Sequence, residues 1–254
     1  MTFAATVEAD ILQDAFAPVD ALVAECKVHA TEDGIEISAV DPANVAMVEM
    51  ELSAGACAHY EAHDGVLGID LERMLSVVGM ADSGDMVDLS LDEDTRKMHI
   101  DIGGLSFTLG LLDPDSIREE PDIPEGLDLP ATFVFEGSQL SRAITAADLC
   151  SDHVSVVAED SDELHVRAEG DTDDVDLELD GDDLLSGRLD SEDAVESLFS
   201  LEYLTSMSGP IGSETDVSAV MGDELPMKLR YSMHDGDVSV LNLLAPRIQS
   251  GGGA

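Results

Sequence analysis

Two histidines in the first half of the chain have a spacing that can bind a metal ion. His59 and His63 lie four residues apart, with Asp64 next to the second. Such a pair on one helix face can hold zinc. The pair follows the segment SAGACA and precedes Gly65, a composition that favours a turn over a helix. We therefore predict no metal site here.

An acidic stretch in the second half, DVDLELDGDD, has some features of a calcium-binding loop. Aligned from Asp176, the loop would need Glu at its twelfth position, where the chain has Gly187. Val175, Leu177 and Leu179 alternate with acidic residues, which favours a strand instead. We predict that cations meet this stretch only nonspecifically.

No other pattern in the chain indicates catalysis. The sequence contains no P-loop, GxGxxG or GxSxG motif. With 56 carboxylates, a neighbouring pair is no evidence for acid–base chemistry. Cys26, Cys57 and Cys150 are odd in number and far apart, which is typical of small core residues in a reducing compartment. We predict no enzyme activity, no cofactor and no metal.

The composition predicts a folded but very acidic protein. The 254 residues suffice for one large domain or two ordinary ones, and 44% of them are hydrophobic. The formal net charge of −45 would oppose compaction in ordinary salt, whereas at molar salt the Debye length falls to about 3 Å. We therefore predict a protein from a salt-adapted cytoplasm. The chain shows no membrane-length apolar run and no signal pattern, so we expect a soluble, cytoplasmic protein.

The chain repeats itself at an offset of 128 to 130 residues. The matched pairs are TVEADIL (6–12) with VFEGSQL (134–140), ATEDGIEISA (30–39) with AEDSDELHVRA (158–168), DLERML (70–75) with SLEYL (200–204), and DMVDLSL (85–91) with TDVSAVM (215–221). We predict two similar domains, 1–112 and 131–249. A Pro-rich interdomain connector at 113–130 would join them, and a disordered tail would occupy 250–254.

Apolar residues at helical spacing predict four helices, at 10–24, 71–80, 138–149 and 200–208, with Asp10 as the N-cap of the first. Period-two alternation predicts ten strands between them. They are GIEISAV, VAMVEMEL, MVDLSL, MHIDI, LSFTLGLL, VSVVAE, ELHVRAE, DVDLELD, KLRYSM and DVSVLNLL. Few βαβ crossovers are visible, so the predicted fold class is α+β, with helices packed on antiparallel sheets.

In this order the elements resemble the sliding clamp of archaea and eukaryotes, proliferating cell nuclear antigen (PCNA). The resemblance rests on DPANVAMVEMEL, LGIDLERMLSVVGMADSGD, LGLLDPDS and LLAPRI, and runs from Thr2 to Gln249. It implies the DNA-clamp fold and a head-to-tail homotrimer closed into a ring around duplex DNA. Such a ring is a processivity factor for replication and repair. Its partners would be DNA polymerase, clamp loader, flap endonuclease and DNA ligase, bound through short peptide motifs.

The C-terminal run VLNLLAPRIQS carries no acidic residue, unlike the rest of the chain. Pro246 removes a backbone donor and favours an extended surface edge over a buried strand. The resemblance implies that this run belongs to an apolar pocket for partner peptides. The implied residues are Val40, Asn44, Val45, Met47, Ile123, Pro124, Leu127, Pro226, Leu243, Leu244, Ala245 and Pro246. Plain core packing is the competing interpretation.

The resemblance also implies that subunits join through the edge strands LSFTLGLL (105–112) and DVDLELD (174–180). The implied contact residues are Leu105, Phe107, Leu109, Leu111, Val175, Leu177 and Leu179. A ring makes use of edges that otherwise promote aggregation, provided that the rotation between subunits closes. Ordinary strands inside a monomer's sheet are the alternative.

Few basic residues are available to contact DNA. The first predicted helix has none, and Arg73 and Arg142 on the second and third are the candidates for phosphate contact. Attraction to phosphate falls steeply with salt, and a closed ring is retained by topology, so a weak grip is tolerable. Solvated helix charges are the competing interpretation of both arginines.

An acidic protein that mimics DNA and occupies nucleic-acid-binding partners is the alternative function. It would explain the charge, but it accounts for neither the repeat nor the uncharged C-terminal run. A halophilic enzyme with scattered carboxylates has no motif to support it.

Overall fold

The computed structural model describes residues 2–119, 126–127 and 129–247, and it divides into two compact units. The first unit comprises Met1–Asp122 and Ser232–Val240, and the second comprises Ile123–Tyr231 and Leu241–Ala254. Each unit carries two helices on antiparallel strands, so the predicted α+β class is confirmed. No helix in the described ranges has the length and apolarity needed to cross a membrane.

The first unit contains strands β1 to β9 and helices α1 and α2. Their bounds are β1 Phe3–Glu8, α1 Ala9–Asp20, β2 Glu25–Ala30, β3 Gly34–Val40, β4 Ala46–Ser53, β5 His59–Ala62, β6 Gly65–Asp70, α2 Leu71–Val78, β7 Met86–Asp92, β8 Lys97–Ile102 and β9 Leu105–Gly110. The strands pair in the orders β5-β1-β7-β8-β9 and β4-β3-β2-β6. Strand β9 therefore forms one edge of the first of these sheets.

The second unit repeats this plan. Its elements are β10 Ala131–Glu136, α3 Gly137–Ala147, β11 His153–Ala158, β12 Glu163–Glu169, β13 Asp174–Asp180, β14 Ser186–Leu189, β15 Val195–Ser200, α4 Leu201–Ser208, β16 Asp216–Met221, β17 Met227–Met233 and β18 Val238–Leu244. The pairing orders are β14-β10-β16-β17-β18 and β13-β12-β11-β15. Corresponding elements thus occupy corresponding places in the two units.

The internal repeat seen in the sequence is a structural repeat. Strands β1 and β10 begin 128 residues apart and show the same alternation of buried and half-buried side chains. Each runs directly into a helix whose N-cap residue, Glu8 or Glu136, makes no side-chain capping bond. Helices α2 and α4 begin 130 residues apart. The same hydrophobic pattern has therefore produced the same local fold twice.

All four predicted helices exist, but their bounds are shorter than predicted. Helix α1 ends at Asp20 rather than at residue 24, and Leu22 N already bonds to Val19 O, as in a turn. Asp10 is not the N-cap. It lies in the first turn, where its Oδ2 accepts hydrogen bonds from Ser83 Oγ at 2.7 Å and Gly84 N at 3.1 Å. The Asp10 carboxylate therefore accepts hydrogen bonds from the loop at Ser83 and Gly84, and it does not cap the N-terminus of its own helix.

The period-two rule finds ten strands and misses eight that lie in the described ranges: β1, β2, β5, β6, β10, β14, β15 and β16. All eight have six residues or fewer, so few alternations are available to detect. The predicted turn around His59 is wrong, because His59–Ala62 is an edge strand paired with β1. Within the described residues, no group of three or more His, Cys, Asp or Glu side chains is arranged to hold a metal ion.

The segment Ser232–Val240 contains the end of β17, the turn and the start of β18; it belongs to the first unit, although the predicted domain 131–249 includes it. Ser53 N donates to Asp237 O at 2.9 Å, and His234 Nε2 lies 2.8 Å from Asp14 Oδ2 on α1. These bonds hold Ser232–Val240 against the first unit. The predicted tail, 250–254, lies outside the described residues, as does part of the connector.

Carboxylates face each other directly across several strand pairs. Glu36 on β3 is opposite Glu51 on β4, and Asp88 on β7 is opposite Asp101 on β8. Like charges in such positions are destabilising, by roughly 0.2–1 kcal/mol for a pair. The fold therefore contains built-in repulsions that dissolved salt can screen.

We predict that Glu51→Gln stabilises the first unit in low salt and has no effect at molar salt. The change removes the repulsion with Glu36, which should raise the free energy of unfolding by roughly 0.2–1 kcal/mol. At molar salt the Debye length of about 3 Å screens the pair in both proteins. Urea unfolding at a series of KCl concentrations measures the difference.

Glu32→Gln is the matched control, because Glu32 is an exposed loop residue that faces no strand partner. It removes the same net charge without relieving a facing pair. An equal gain for both variants would mean that only the overall charge matters.

Candidate functional site

The exposed faces of α1 and α2 are acidic. Asp14, Asp20 and Glu72 are exposed on these two helices, and Arg73 is their only basic residue. Burial raises the pKa of Asp20, and the nearby charge of Glu72 raises it further. The two helices pack side by side within the first unit, so their carboxylates repel one another. This surface attracts cations more readily than phosphates.

The two predicted phosphate-contacting arginines have different surroundings. Arg142 on α3 is held by its own unit: Nη1 lies 3.4 Å from Asp183 Oδ2 and 3.3 Å from Gln139 Oε1. Gln139 Nε2 in turn donates to Asp183 Oδ1 at 2.9 Å. Arg73 is exposed, and its side chain has no ion pair among the described residues. Arg73 is therefore the freer of the two cations.

The predicted pocket residues of the first unit lie together around the turn from β3 to β4. Val40, Val45 and Met47 are half-buried, and Asn44 is exposed. Val40 and Met47 are direct partners in the β3–β4 ladder. Each therefore leaves part of an apolar side chain accessible at one end of this hairpin.

Asp41 shapes this turn and is absent from the predicted pocket residues. Its carboxylate is buried, with 3% of the residue exposed, and it accepts hydrogen bonds from the backbone N–H groups of Ala43 at 2.8 Å, Val45 at 2.6 Å and Ala46 at 2.8 Å. Asn44 adopts a left-handed conformation, with φ of 58°. The dipeptide Asp41-Pro42 was the available signal, since Asp side chains often close turns on their own backbone.

The predicted pocket residues of the second unit differ in accessibility. Pro226, Ala245 and Pro246 are half-buried, whereas Leu243 is 6% exposed and Leu244 is fully buried. Leu244 ends β18 and its side chain is fully buried, so it supports the surface rather than forming it. Leu127 is half-buried, and Ile123 and Pro124 lie outside the described residues.

Both strands predicted to join subunits are edge strands. Strand β9 ends the order β5-β1-β7-β8-β9, and β13 ends the order β13-β12-β11-β15. Leu109 and Leu179 are 1% exposed and pack in the cores of their own units. Leu105 is 37% exposed. Four other residues of the predicted set, Phe107, Leu111, Val175 and Leu177, are half-buried.

A histidine on β12 lies between two carboxylates, next to the edge strand β13. His165 on β12 is only 8% exposed; its Nδ1 lies 2.8 Å from Asp176 Oδ1, and its Nε2 contacts Glu163. Arg167 Nε pairs with the other oxygen of Asp176 at 3.1 Å. Burial lowers the pKa of His165, but the bonds to Asp176 and Glu163 outweigh burial, and the pKa is raised overall. With both carboxylates ionised, each ring nitrogen can donate a proton to one of them, which favours the charged form of the imidazole.

Comparison with known proteins agrees with this architecture. Residues 1–103 match the family model described as the N-terminal domain of proliferating cell nuclear antigen. The DNA polymerase sliding clamp of Natronomonas pharaonis is 52% identical over 249 residues, which cover 98% of this chain and 99% of the relative. The sliding clamp of Haloarcula marismortui is 51% identical over the same length and shares. These relatives come from halophilic archaea.

Two solved structures are similar over nearly the whole chain. One is the PCNA of A. fulgidus bound to the C-terminal region of FEN-1; its TM-score is 0.89 at 29% identity, covering 98% of this chain and 99% of that one. The other is the PCNA of Thermococcus kodakaraensis, with a TM-score of 0.88 at 25% identity, covering 96% of this chain and 100% of that one.

We predict that the contribution of His165 to stability falls as the pH rises above about 6.5, the ordinary pKa of histidine. A group whose pKa is raised by folding contributes its full stabilisation below its unfolded pKa, about 6.5 for histidine, and loses it as the pH passes through the folded value. His165→Gln should remove this slope and cost roughly 1.5–3 kcal/mol at pH 6, the range for hydrogen bonds to charged groups. Urea unfolding between pH 6 and 9 at constant molar KCl measures both effects.

His63→Gln is the control, because His63 is exposed and lies outside this network. Parallel pH slopes in the wild type and His165→Gln would rule out the doubly protonated histidine.

Proposed function

The chain belongs to the family of DNA polymerase sliding clamps related to PCNA, and on this basis we propose that three copies close into a ring around duplex DNA. The protein is a sliding clamp for DNA polymerase. The observation that carries the proposal is 52% identity to a named clamp over 98% of the chain. The ring would act as a tether and catalyse no reaction of its own.

The edge strands support closure of a ring. Strand β9 lies in the first unit and β13 in the second, and each offers one unpaired row of backbone groups. An edge of one copy can extend the sheet of the next, and a head-to-tail contact of this kind closes when the rotation fits. We propose Leu105, Phe107, Leu111, Val175 and Leu177 as the apolar contacts of this interface. Leu109 and Leu179 support it from within their own units.

We propose that closure, rather than charge, keeps the ring on DNA. Each phosphate contact loses about eightfold in affinity for a tenfold rise in salt, because the release of counterions drives it. In molar salt a basic lining would therefore contribute little. A closed ring leaves DNA only when it opens or slides off an end, so an acidic helix surface is tolerable. Arg73 supplies the main residual contact, and Arg142 a weaker one because Asp183 competes for it.

We propose that partner proteins insert a short apolar peptide at the predicted pocket. The turn with Val40, Asn44, Val45 and Met47 would supply one part. The remaining contacts would come from Ile123, Pro124 and Leu127 of the connector, and from Pro226, Leu243, Ala245 and Pro246, with Leu244 as a buried support. A few apolar anchors in a desolvated hollow carry most of such binding. The A. fulgidus relative binds the C-terminal region of FEN-1. We propose the same class of peptide here, with DNA polymerase, clamp loader and DNA ligase as further partners.

Arg73→Glu should weaken the clamp's effect on synthesis more than Arg142→Glu does. We expect roughly a two- to tenfold loss of clamp-stimulated primer extension on circular DNA, because a phosphate contact becomes a repulsion. The assay uses the cognate polymerase and clamp loader. The double variant should be the weakest of the three.

Light scattering in molar KCl is the control for assembly. Wild type and variants should all run near three times 26.9 kDa. A monomer at every salt concentration would contradict the ring and favour the DNA mimic. Unchanged synthesis by the double variant would show that both arginines are solvated helix charges that do not contact DNA. Arg230→Glu, an exposed change on β17, should leave synthesis unaffected.

Val45→Asp should reduce affinity for a peptide from the C-terminal region of FEN-1 by about tenfold or more, equivalent to about 1.4 kcal/mol. The half-buried Val45 side chain would become charged inside an apolar site. Calorimetric titration at molar KCl measures the loss. Val134→Asp, which charges a half-buried valine on β10, is the matched control and should bind normally. Equal binding by both variants would place the peptide elsewhere.

A further inference from the structure

One arginine connects the start of the connector to the turn between β3 and β4. Arg118 Nη1 donates to the backbone oxygen of Asp41 at 2.8 Å, and Nη2 donates to Asn44 Oδ1. The same Asp41 oxygen accepts from Asn44 N at 3.1 Å. The Arg118 guanidinium therefore binds oxygens of the turn from the connector, while the buried Asp41 carboxylate accepts hydrogen bonds from the N–H groups of the turn itself.

The segment that carries Arg118 is itself anchored to the first unit. Leu112 N donates to Gly68 O at 2.9 Å, and Ile117 is 7% exposed. A side chain at Gly68 could not be accommodated, since a Cβ there would lie 2.5 Å from Leu112 O and 2.9 Å from Ile117 Cδ1. Asp113 caps the short turn Pro114–Ser116 between these two contacts. The segment that precedes Arg118 is therefore held in place by its contacts with the first unit.

The acceptors of Arg118 are unusual for this chain. The side chains of Arg142, Arg167 and Arg188 pair with carboxylates, whereas the partners of Arg118 in the described residues are a carbonyl and an amide oxygen. Hydrogen bonds to neutral acceptors do not depend on an ion pair that salt would screen. The planar guanidinium presents one N–H group to each of the two oxygens in a fixed fork geometry. The contact suits a protein that works in concentrated salt.

The contact also forms the wall of a surface cleft. A cleft of about 340 Å³ in the first unit is lined by Val40, Pro42, Ile117 and Arg118, among others. Val40 is also one of the proposed peptide contacts. Loss of the Arg118 contact would therefore loosen both the turn and the adjoining wall.

We propose that Arg118 is a positioning residue of the partner-peptide site. It touches no partner itself. By holding Asp41 and Asn44 to the connector, it keeps Val40, Asn44 and Val45 in the geometry that a peptide needs, so less conformational freedom is lost on binding. The proposal rests on the peptide-binding function proposed above.

The test combines Arg118→Ala, Arg118→Lys, Asn44→Gly and the double variant Arg118→Ala/Asn44→Gly. Glycine at position 44 keeps the left-handed turn and removes the amide acceptor of Arg118, together with one proposed peptide contact. The probe is the C-terminal FEN-1 peptide, titrated at molar KCl. We expect about tenfold weaker binding for Arg118→Ala and nearly the same loss for Arg118→Lys, because lysine keeps the charge but lacks the fork. The double variant should lose no more than the worse single one.

Hydrogen exchange supplies a readout that needs no partner. The N–H groups of Ala43, Val45 and Ala46 should exchange faster in Arg118→Ala, while the trimer mass and the unfolding midpoint stay unchanged. Arg230→Ala, which removes an exposed arginine from β17, should match the wild type in both assays.

The outcomes separate the two proposals. If the wild type binds the peptide and Arg118→Ala binds equally well, or Arg118→Lys restores affinity, or the losses add in the double variant, the positioning role is wrong. The role is also wrong if exchange in the turn is unchanged. If the wild type fails to bind the peptide at all, the peptide-binding function fails, and the positioning role fails with it.

Discussion

Repulsion between carboxylates is the constraint on which the rest of this molecule depends. The net charge of −45 is distributed over the whole chain, and facing pairs such as Glu36 with Glu51 place like charges on neighbouring strands. What opposes this repulsion is the apolar core of each unit, where side chains such as Ile100 in the first unit and Phe133 in the second are fully buried. Burial of apolar surface contributes about 25 cal/mol per Å² and does not weaken as salt rises. The fold is thus suited to a medium that screens charge and preserves the hydrophobic effect.

The few cationic side chains of this acidic protein differ in what they bind. Arg142 and Arg167 pair with carboxylates within their own unit, and His165 contacts Asp176, the same carboxylate that Arg167 binds. Arg118 instead bonds neutral oxygens where the connector begins. Arg73 is the arginine on the described helices with no ion pair in its own unit. A clamp built in this way has little basic surface left for DNA, which is why closure of the ring must replace electrostatic grip in the proposed mechanism.

The duplicated plan leaves one chain with two different edge strands, β9 and β13. Each ends a sheet, and they are not copies of one another, because in the repeat β9 corresponds to β18 and β13 to β4. A chain with two different free edges can form head-to-tail contacts, whereas one edge alone would favour a two-fold dimer. The polar and half-buried side chains on these edges, together with the acidic network around Asp176, restrict indiscriminate pairing with other chains.

Much of this organisation was predictable from local pattern. Apolar spacing located all four helices and alternation located ten strands, because both signals depend on neighbours in the chain. The nearly constant offset of 128 to 130 residues revealed the duplication when the chain was compared with itself. The resemblance of segments such as DPANVAMVEM and LLAPRI to known clamps identified the family. Short strands such as β5 and β14 escaped detection because four residues contain too little periodicity.

Tertiary structure decided what depends on distant partners. Only the fold revealed that Leu109, Leu179 and Leu244 are core residues, since burial depends on the layer that covers a side chain and not on its type. Only the fold showed that Arg142 is paired with a carboxylate and Arg73 is not, because the partner of Arg142, Asp183, lies 41 residues away along the chain. The contact between Arg118 and the Asp41 turn spans 77 residues and leaves no periodic signal. The sequence determined which elements form, and long-range packing determined which side chains remain free to act.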